Sequence, residues 1–296
     1  MPKTILVPLD RSPCAEKAMP VAVAIARRND ATLHLVMVHE AFGLNLPTAL
    51  PAVHQAWVQE REHWLHAAAA RLKRESGVQV KWALLHGRTA PTLATFIREK
   101  GIDLVVMATH GRGGIGRAWL GSTADALLRL CEAPVLLIRP VAAASTAVFA
   151  QVLAAVDGSP IAGHVVDAAA PLSEKGDCTL LHVLTPPPAY PSHHIPDARE
   201  REREELERRK AAAISFLDTM AERAEVRGLE PVAKLVVDEN VAATILREAE
   251  QTGADLIALG THGRGPVLRA ILGSVADKVI RSATVPVLVV PPAAAS

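Results

Sequence analysis

Short, uninterrupted apolar runs alternate along this chain with longer stretches in which apolar residues recur every three or four positions. A brief run with no polar alternation reads as a strand covered on both faces, and the longer periodic stretches read as helices. In the first half the strands are Thr4 to Pro8, Thr32 to Val38, Val78 to Leu85, Asp103 to Met107 and Val135 to Ile138. Between them helices are predicted from Ser12 to about Arg28, from about Val53 to Glu75 and from Pro91 to Lys100, with a last one before Val135. Ser12 is the expected N-cap and Pro13 the first helical residue, since proline has no N–H to lose there. The second half repeats the order: Val152 to Val156, a helix after Asp157-Gly158-Ser159-Pro160, Thr179 to Leu184, and Asp255 to Leu259. Proline breaks the pattern from Pro186 to Pro196, which reads as a loop. The mixed-charge run Arg199 to Lys210 reads as a solvated helix, with Glu204–Arg208 and Glu205–Arg209 at i,i+4 spacing. Strands alternating with helices give an α/β fold with a parallel sheet covered on both faces.

The halves share more than order. Residues 101–140 and 253–292 align without a gap and are identical at about half of their positions, which marks a duplicated unit. Two repeated domains follow, residues 1–141 and 147–292, joined by the small-residue linker Val141 to Thr146. The most similar segment is Ala108-Thr-His-Gly-Arg-Gly-Gly-Ile-Gly-Arg-Ala-Trp-Leu-Gly-Ser122, answered by Gly260-Thr-His-Gly-Arg-Gly-Pro-Val-Leu-Arg-Ala-Ile-Leu-Gly-Ser274. Each copy follows an apolar strand and precedes a helix. Glycines let the backbone approach a charged ligand closely, and the unpaired N–H groups of a helix start favour an anion. The segment reads as a phosphate cradle, built twice.

Composition narrows the partners. A formal net charge of +1 and 3% aromatic residues supply neither the electrostatic footprint nor the stacking surface of a nucleic-acid binder. Cys14, Cys131 and Cys178 are scattered, without metal-ligand or disulfide spacing. With neither a signal-peptide pattern at the first residues nor an apolar run of about 18–20 residues, a cytoplasmic, non-membrane protein is expected.

The spacing Gly260, Gly263, Gly273, Ser274 matches Gly-x-x-Gly, a nine-residue gap, then Gly-Ser/Thr, and through it each half resembles a universal stress protein domain. Asp157, Val183 and the Pro-Val-Leu-Val-Val ending at Val290 strengthen the resemblance. It implies two Rossmann-like domains, each a five-stranded parallel sheet of order 3-2-1-4-5 with helices on both faces, and a site at the carboxyl ends of the strands. It further implies ATP or another adenine nucleotide as ligand, Mg accompanying a triphosphate, and a role in stress response. The implied contacts in the first half are Pro8, Leu9, Asp10, Val38, Met107, Ala108, Gly111, Arg112, Gly113, Gly121, Ser122 and Thr123. In the second they are Ala155, Val156, Asp157, Val183, Leu259, Gly260, Gly263, Arg264, Gly265, Gly273, Ser274 and Val275. The halves are expected to pack as a pseudo-dimer through their final strands, with a further homodimer open.

Each of these residues also has a plainer reading. Asp10 and Asp157 suit the turn before a Ser-Pro helix start, but if Ser12 and Ser159 cap those helices the carboxylates remain for ribose hydroxyls. Ser122-x-x-Asp125 and Ser274-x-x-Asp277 look like capping boxes, with the aspartates folded back onto the backbone. His110 and His262 either bond phosphate or brace the loop; Arg112, Arg264, Arg117 and Arg269 either neutralise phosphate or are solvated. His63 with His66, and His193 with His194, lack a third ligand, so no metal site is expected. Ala108 replaces the first landmark glycine of the first half. Its cost depends on φ: strain of about 1–2 kcal/mol if φ is positive, a bare methyl group otherwise. No Walker motif or nucleophile elbow is present, so binding is preferred to catalysis. The alternatives are a slow nucleotide-hydrolysing or phosphoryl-transfer enzyme and a nucleotide-free interaction module.

Overall fold

The computed structural model describes residues 1–40, 51–109, 120–139, 149–186, 198–261 and 272–292. The linker 141–146 and most of the proline-rich stretch fall outside them. The chain divides into two compact units, the first Met1–Val148 and the second opening at Phe149.

In the first unit β1 (Thr4–Pro8) leads through α1 (Pro13–Glu16) and α2 (Ala18–Asn29) to β2 (Thr32–His39). Then come α3 (Pro51–Ser76), β3 (Val80–His86), α4 (Thr89–Lys100), β4 (Leu104–Ala108), α5 (Ser122–Leu130) and β5 (Val135–Ile138). All strand pairs are parallel: β1 with β2 and β4, β2 with β3, β4 with β5, an order of 3-2-1-4-5. Central strands are apolar throughout because helices cover both faces; Ile5, Leu6 and Val7 are fully buried. The outer strand β3 instead leaves Trp82 partly exposed.

The second unit repeats the plan: β6 (Phe149–Ala155), α6 (Ala162–Ala169), β7 (Ser173–Leu184), α7 (Ala198–Val226), β8 (Glu230–Val237), α8 (Val241–Gln251), β9 (Leu256–Gly260), α9 (Ser274–Ser282) and β10 (Val287–Val290). Here β6 pairs with β7 and β9, β7 with β8, and β9 with β10, all parallel. The order is again 3-2-1-4-5, counted within the unit.

An acidic residue locks the amino ends of the central strands in both units. Asp103 Oδ2 accepts hydrogen bonds from the Lys3 and Thr4 N–H groups at 2.7 and 2.9 Å. Asp255 accepts from Ala150 and Gln151 at 2.8 and 3.0 Å. The residue that introduces the fourth strand thereby sets its alignment with the first.

Several expectations are corrected. The helix expected from Ser12 to Arg28 is broken at Lys17, because Pro20 has no N–H to give to the Glu16 carbonyl. The strand expected at Thr179 begins at Ser173 and passes an irregularity near Gly176, whose φ of +88° suits glycine. Within α7, Glu205 pairs with Arg208 and Glu207 with Lys210, at i,i+3 rather than i,i+4. They are exposed and contribute little.

Candidate functional site

In each unit the sheet order reverses beside the first strand, and the described candidate residues gather at the carboxyl ends of that strand and its neighbours. After β1, the Leu9 N–H donates to Val36 O at 2.8 Å; after β6, the Val156 N–H donates to Leu181 O at 2.9 Å. Pro8 and Ala155 are thus equivalent, as are Asp10 and Asp157 two residues later. Val38 and Val183, both half-buried, lie near the ends of the second strands and pair with Leu85 and Val236.

The fourth strands end alike. Met107 and Ala108, or Leu259 and Gly260, run into Thr109 and Thr261, each 3% exposed. The Thr109 N–H donates to Ile138 O at 3.0 Å, and that of Thr261 to Val290 O at 2.9 Å. The threonine carbonyls in turn accept from Gly121 and Gly273, 2.8 Å in both units. Each bond ties the residue that closes the strand to the glycine that opens the next helix. Neither α5 nor α9 has a side-chain cap, because its N-cap is glycine. Ser122 and Ser274 stand exposed as first helical residues, with Thr123 and Val275 behind them. A helix start with no capping side chain, held at the carboxyl edge of a parallel sheet, is chemically suited to an anion.

The capping boxes are not formed. Ser122 and Ser274 lie inside their helices rather than at the caps, and the aspartates pair one turn further on. Arg129 Nε and Nη2 donate to the two Asp125 oxygens at 3.1 Å each, and Arg281 Nε donates to both Asp277 oxygens at 2.9 Å. These pairs neutralise the aspartates and direct them along the helix, away from its start.

At the first-strand turns the expectation holds in one unit only. Ser12 Oγ accepts from Ala15 N at 3.1 Å and caps α1. Ser159 caps nothing: its hydroxyl donates to Asp157 Oδ1 at 2.5 Å, and α6 begins at Ala162. Both aspartates also accept their serine N–H, Ser12 at 2.9 Å and Ser159 at 3.0 Å. In both units, therefore, Oδ1 of the carboxylate braces its own turn.

Backbone conformation answers the question posed by Ala108. Both Ala108 and Gly260 are strand residues without positive φ, so alanine adds a methyl group and no strain. Gly121 and Gly273, at φ −60° and −61°, occupy extended geometry open to any residue. Strain in the first unit lies elsewhere. Arg11 has φ +65° where its counterpart Gly158 has +77°, and the Arg11 side chain pairs with Glu60 at 3.0 Å. The signal was present as Asp-Arg-Ser against Asp-Gly-Ser.

A histidine cluster at the same edge was not foreseen. His39, 7% exposed, ends β2, with Nε2 3.4 Å from His54 Nδ1 on α3 and its ring 5.8 Å from that of His86. Burial, then the nearby Arg61, His54 and His86, hold the His39 imidazole below its ordinary pKa. Next to it Glu40 accepts the Thr89 hydroxyl and N–H at 2.6 Å each, and the hydroxyl, ahead of the N–H, holds the carboxyl low. Among the described residues no group of three or more His, Cys, Asp or Glu is arranged to hold a metal ion. Nor is any described helix long and apolar enough to cross a membrane. Gly111, Arg112, Gly113, Gly263, Arg264 and Gly265, with His110, Arg117, His262, Arg269, His193 and His194, lie outside the described residues.

Comparison with known proteins agrees with the duplication. The universal stress protein family model matches twice, over residues 1–139 and 149–291. A universal stress protein of Mycolicibacterium smegmatis is 30% identical over 300 residues, 97% of either chain. One from Mycobacterium tuberculosis is 28% identical over 306 residues, 96% of this chain and 94% of its own. Among solved structures, a universal stress protein from Archaeoglobus fulgidus superposes with a TM-score of 0.70 at 19% identity, covering 98% of this chain and 96% of that one, a likeness of fold.

Proposed function

The chain belongs to the universal stress protein family, and from that premise we propose that it is a cytoplasmic regulator in which each half binds ATP or another adenine nucleotide. The observation that carries this reading is the pair of uncapped helix starts, α5 and α9, each tied through glycine to the end of the fourth strand. In this reading the first-turn N–H groups from Ser122 and Ser274 onward hold phosphate, assisted by the glycine loops with Gly111, Arg112 and Gly113, or Gly263, Arg264 and Gly265. Asp10 and Asp157 take ribose hydroxyls. Pro8, Leu9 and Val38, with Ala155, Val156 and Val183, flank the base. Met107, Ala108, Leu259 and Gly260 form the floor. Mg accompanies a triphosphate.

Binding rather than turnover is the expected activity, since the sequence carries neither a Walker motif nor a nucleophile elbow. Mass spectrometry of small molecules released from the purified native protein tests the reading. An adenine nucleotide is expected; nucleotide-free protein that ignores added ATP leaves an interaction module instead. Multiple turnover at roughly 1 per second or faster would indicate an enzyme.

A further inference from the structure

Strand register gives the two units a common frame. Pro8 faces Val36 as Ala155 faces Leu181, so His39 corresponds to Leu184 and His86 to Val237. The first unit has placed three imidazoles where the second has two aliphatic strand ends. His39 is buried on β2, His86 lies beside it on β3, and His54 comes from the first turns of α3.

We propose that this cluster is a proton-operated clasp: protonation of His39 together with His54 releases the start of α3 from the ends of β2 and β3, and weakens ligand binding in the first half alone. The effect on ligand rests on the nucleotide reading given above; the release itself does not.

Two neutral imidazoles at 3.4 Å share one hydrogen, one ring donating and the other accepting. One added proton leaves a charged N–H···N bond between the rings; a second, on the other ring, leaves no acceptor, and the two cations repel. Other charges facing His39 deepen the effect. From α3 come His54 and Arg61, and from β3 comes His86, all cations or potential cations. Immediately after β2, Glu40 is the adjacent carboxylate, but both hydrogen bonds from Thr89 are spent on its Oε1, at the start of α4 and beside Arg88. A His39 proton therefore enters a site with three basic neighbours and one engaged acid.

The sign follows from the lowered pKa. An unfolded imidazole takes up its proton near pH 6.5, the folded one only at lower pH. The stabilisation from neutral His39 is thus complete above about pH 6.5, declines as pH falls below it, and is gone once pH passes the folded value. The clasp loosens in acid. Val38, one residue before His39, is a proposed base contact, which connects the clasp with the first site.

All four tryptophans, Trp57, Trp64, Trp82 and Trp119, lie in the first half, so native tryptophan fluorescence follows this half without contribution from the other. The test is thermal unfolding followed by that signal at about pH 7.5 and about pH 5.5, for the full chain and for His39→Leu, which installs the residue of the second unit. The midpoint of the unaltered protein is expected to fall about 2–4 °C further on acidification than that of His39→Leu. His54→Gln, at an exposed position, should reduce the difference as well and guards against misfolding of the first variant. Equal pH responses in all three proteins would overturn the clasp.

ATP affinity is then measured in Asp157→Ala protein, isolating the first site, and in Asp10→Ala protein, isolating the second. On acidification the first should weaken roughly fivefold more than the second, which corrects for titration of the nucleotide itself. Equal weakening of both sites would refute the coupling to ligand. A fluorescence response without nucleotide binding at either site would uphold the release and defeat the nucleotide reading.

Discussion

The two halves have the same strand order and the same bond from threonine carbonyl to glycine N–H at the start of the cradle helix, yet differ where the first two strands end. In the first, Arg11 holds a left-handed conformation, Ser12 caps a helix and His39 meets two other histidines. In the second, Gly158 takes that conformation without a side chain, Ser159 is drawn to Asp157, and Leu184 replaces His39. Duplication has kept the features that position the helix start and varied those at the ends of the first two strands. The comparison teaches that the helix-start end of the candidate site is set by backbone, which changes little between the halves, whereas the other end is set by side chains that differ.

The sharpest way to break that comparison is at the shared glycine. Gly273→Val should abolish nucleotide binding in the second half, a loss of roughly a hundredfold or more, corresponding to about 3 kcal/mol. At φ −61° the backbone accepts valine, so the fold should persist and the loss be steric. Calorimetry with ATP on Asp10→Ala protein, with circular dichroism as the check on folding, measures it. Retained affinity would remove the cradle from the site.

The left-handed turn offers the next largest effect. Gly158→Ala puts a β-carbon at φ +77° and should destabilise the second unit by about 1–2 kcal/mol, read from urea unfolding followed by far-ultraviolet circular dichroism. Arg11 already bears a comparable cost at φ +65°, against which its exposed pair with Glu60 returns at most a fraction. An unchanged midpoint would mean that the turn relaxes, and that Arg11 and Gly158 are equivalent after all.

Much of this was legible in the residues. Alternating apolar runs and a repeat of the glycine segment were enough for two α/β units and for placing that segment between the fourth strand and the helix that follows it. Local competition was harder to read. Ser159 looks like Ser12, but the hydroxyl goes to a carboxylate two residues away, and nothing in Asp-Gly-Ser-Pro announces which acceptor wins. Ser122 and Ser274 matched a capping box one residue out of place, because the glycine before each one is the true N-cap. The histidine cluster was invisible for another reason: His39 and His54 are fifteen positions apart and His86 lies on another strand, so only the fold brings the three rings together.

The smallest effect expected is at Ala108. Since φ is not positive there, only a methyl group distinguishes this position from Gly260, and Ala108→Gly should tighten ATP binding in Asp157→Ala protein by about tenfold or less. No change would make the alanine a neutral variant and would assign the difference between the halves to Arg11 and the histidines.

The most direct test of the central claim is a calorimetric titration of the full chain with ATP at neutral pH. Two nucleotides per chain are predicted, taken up in two resolvable steps, with the tighter step lost in Asp157→Ala protein and the weaker in Asp10→Ala protein. A titration without heat of binding, confirmed by equilibrium dialysis, would contradict the account, and so would a single nucleotide whose binding survives both substitutions.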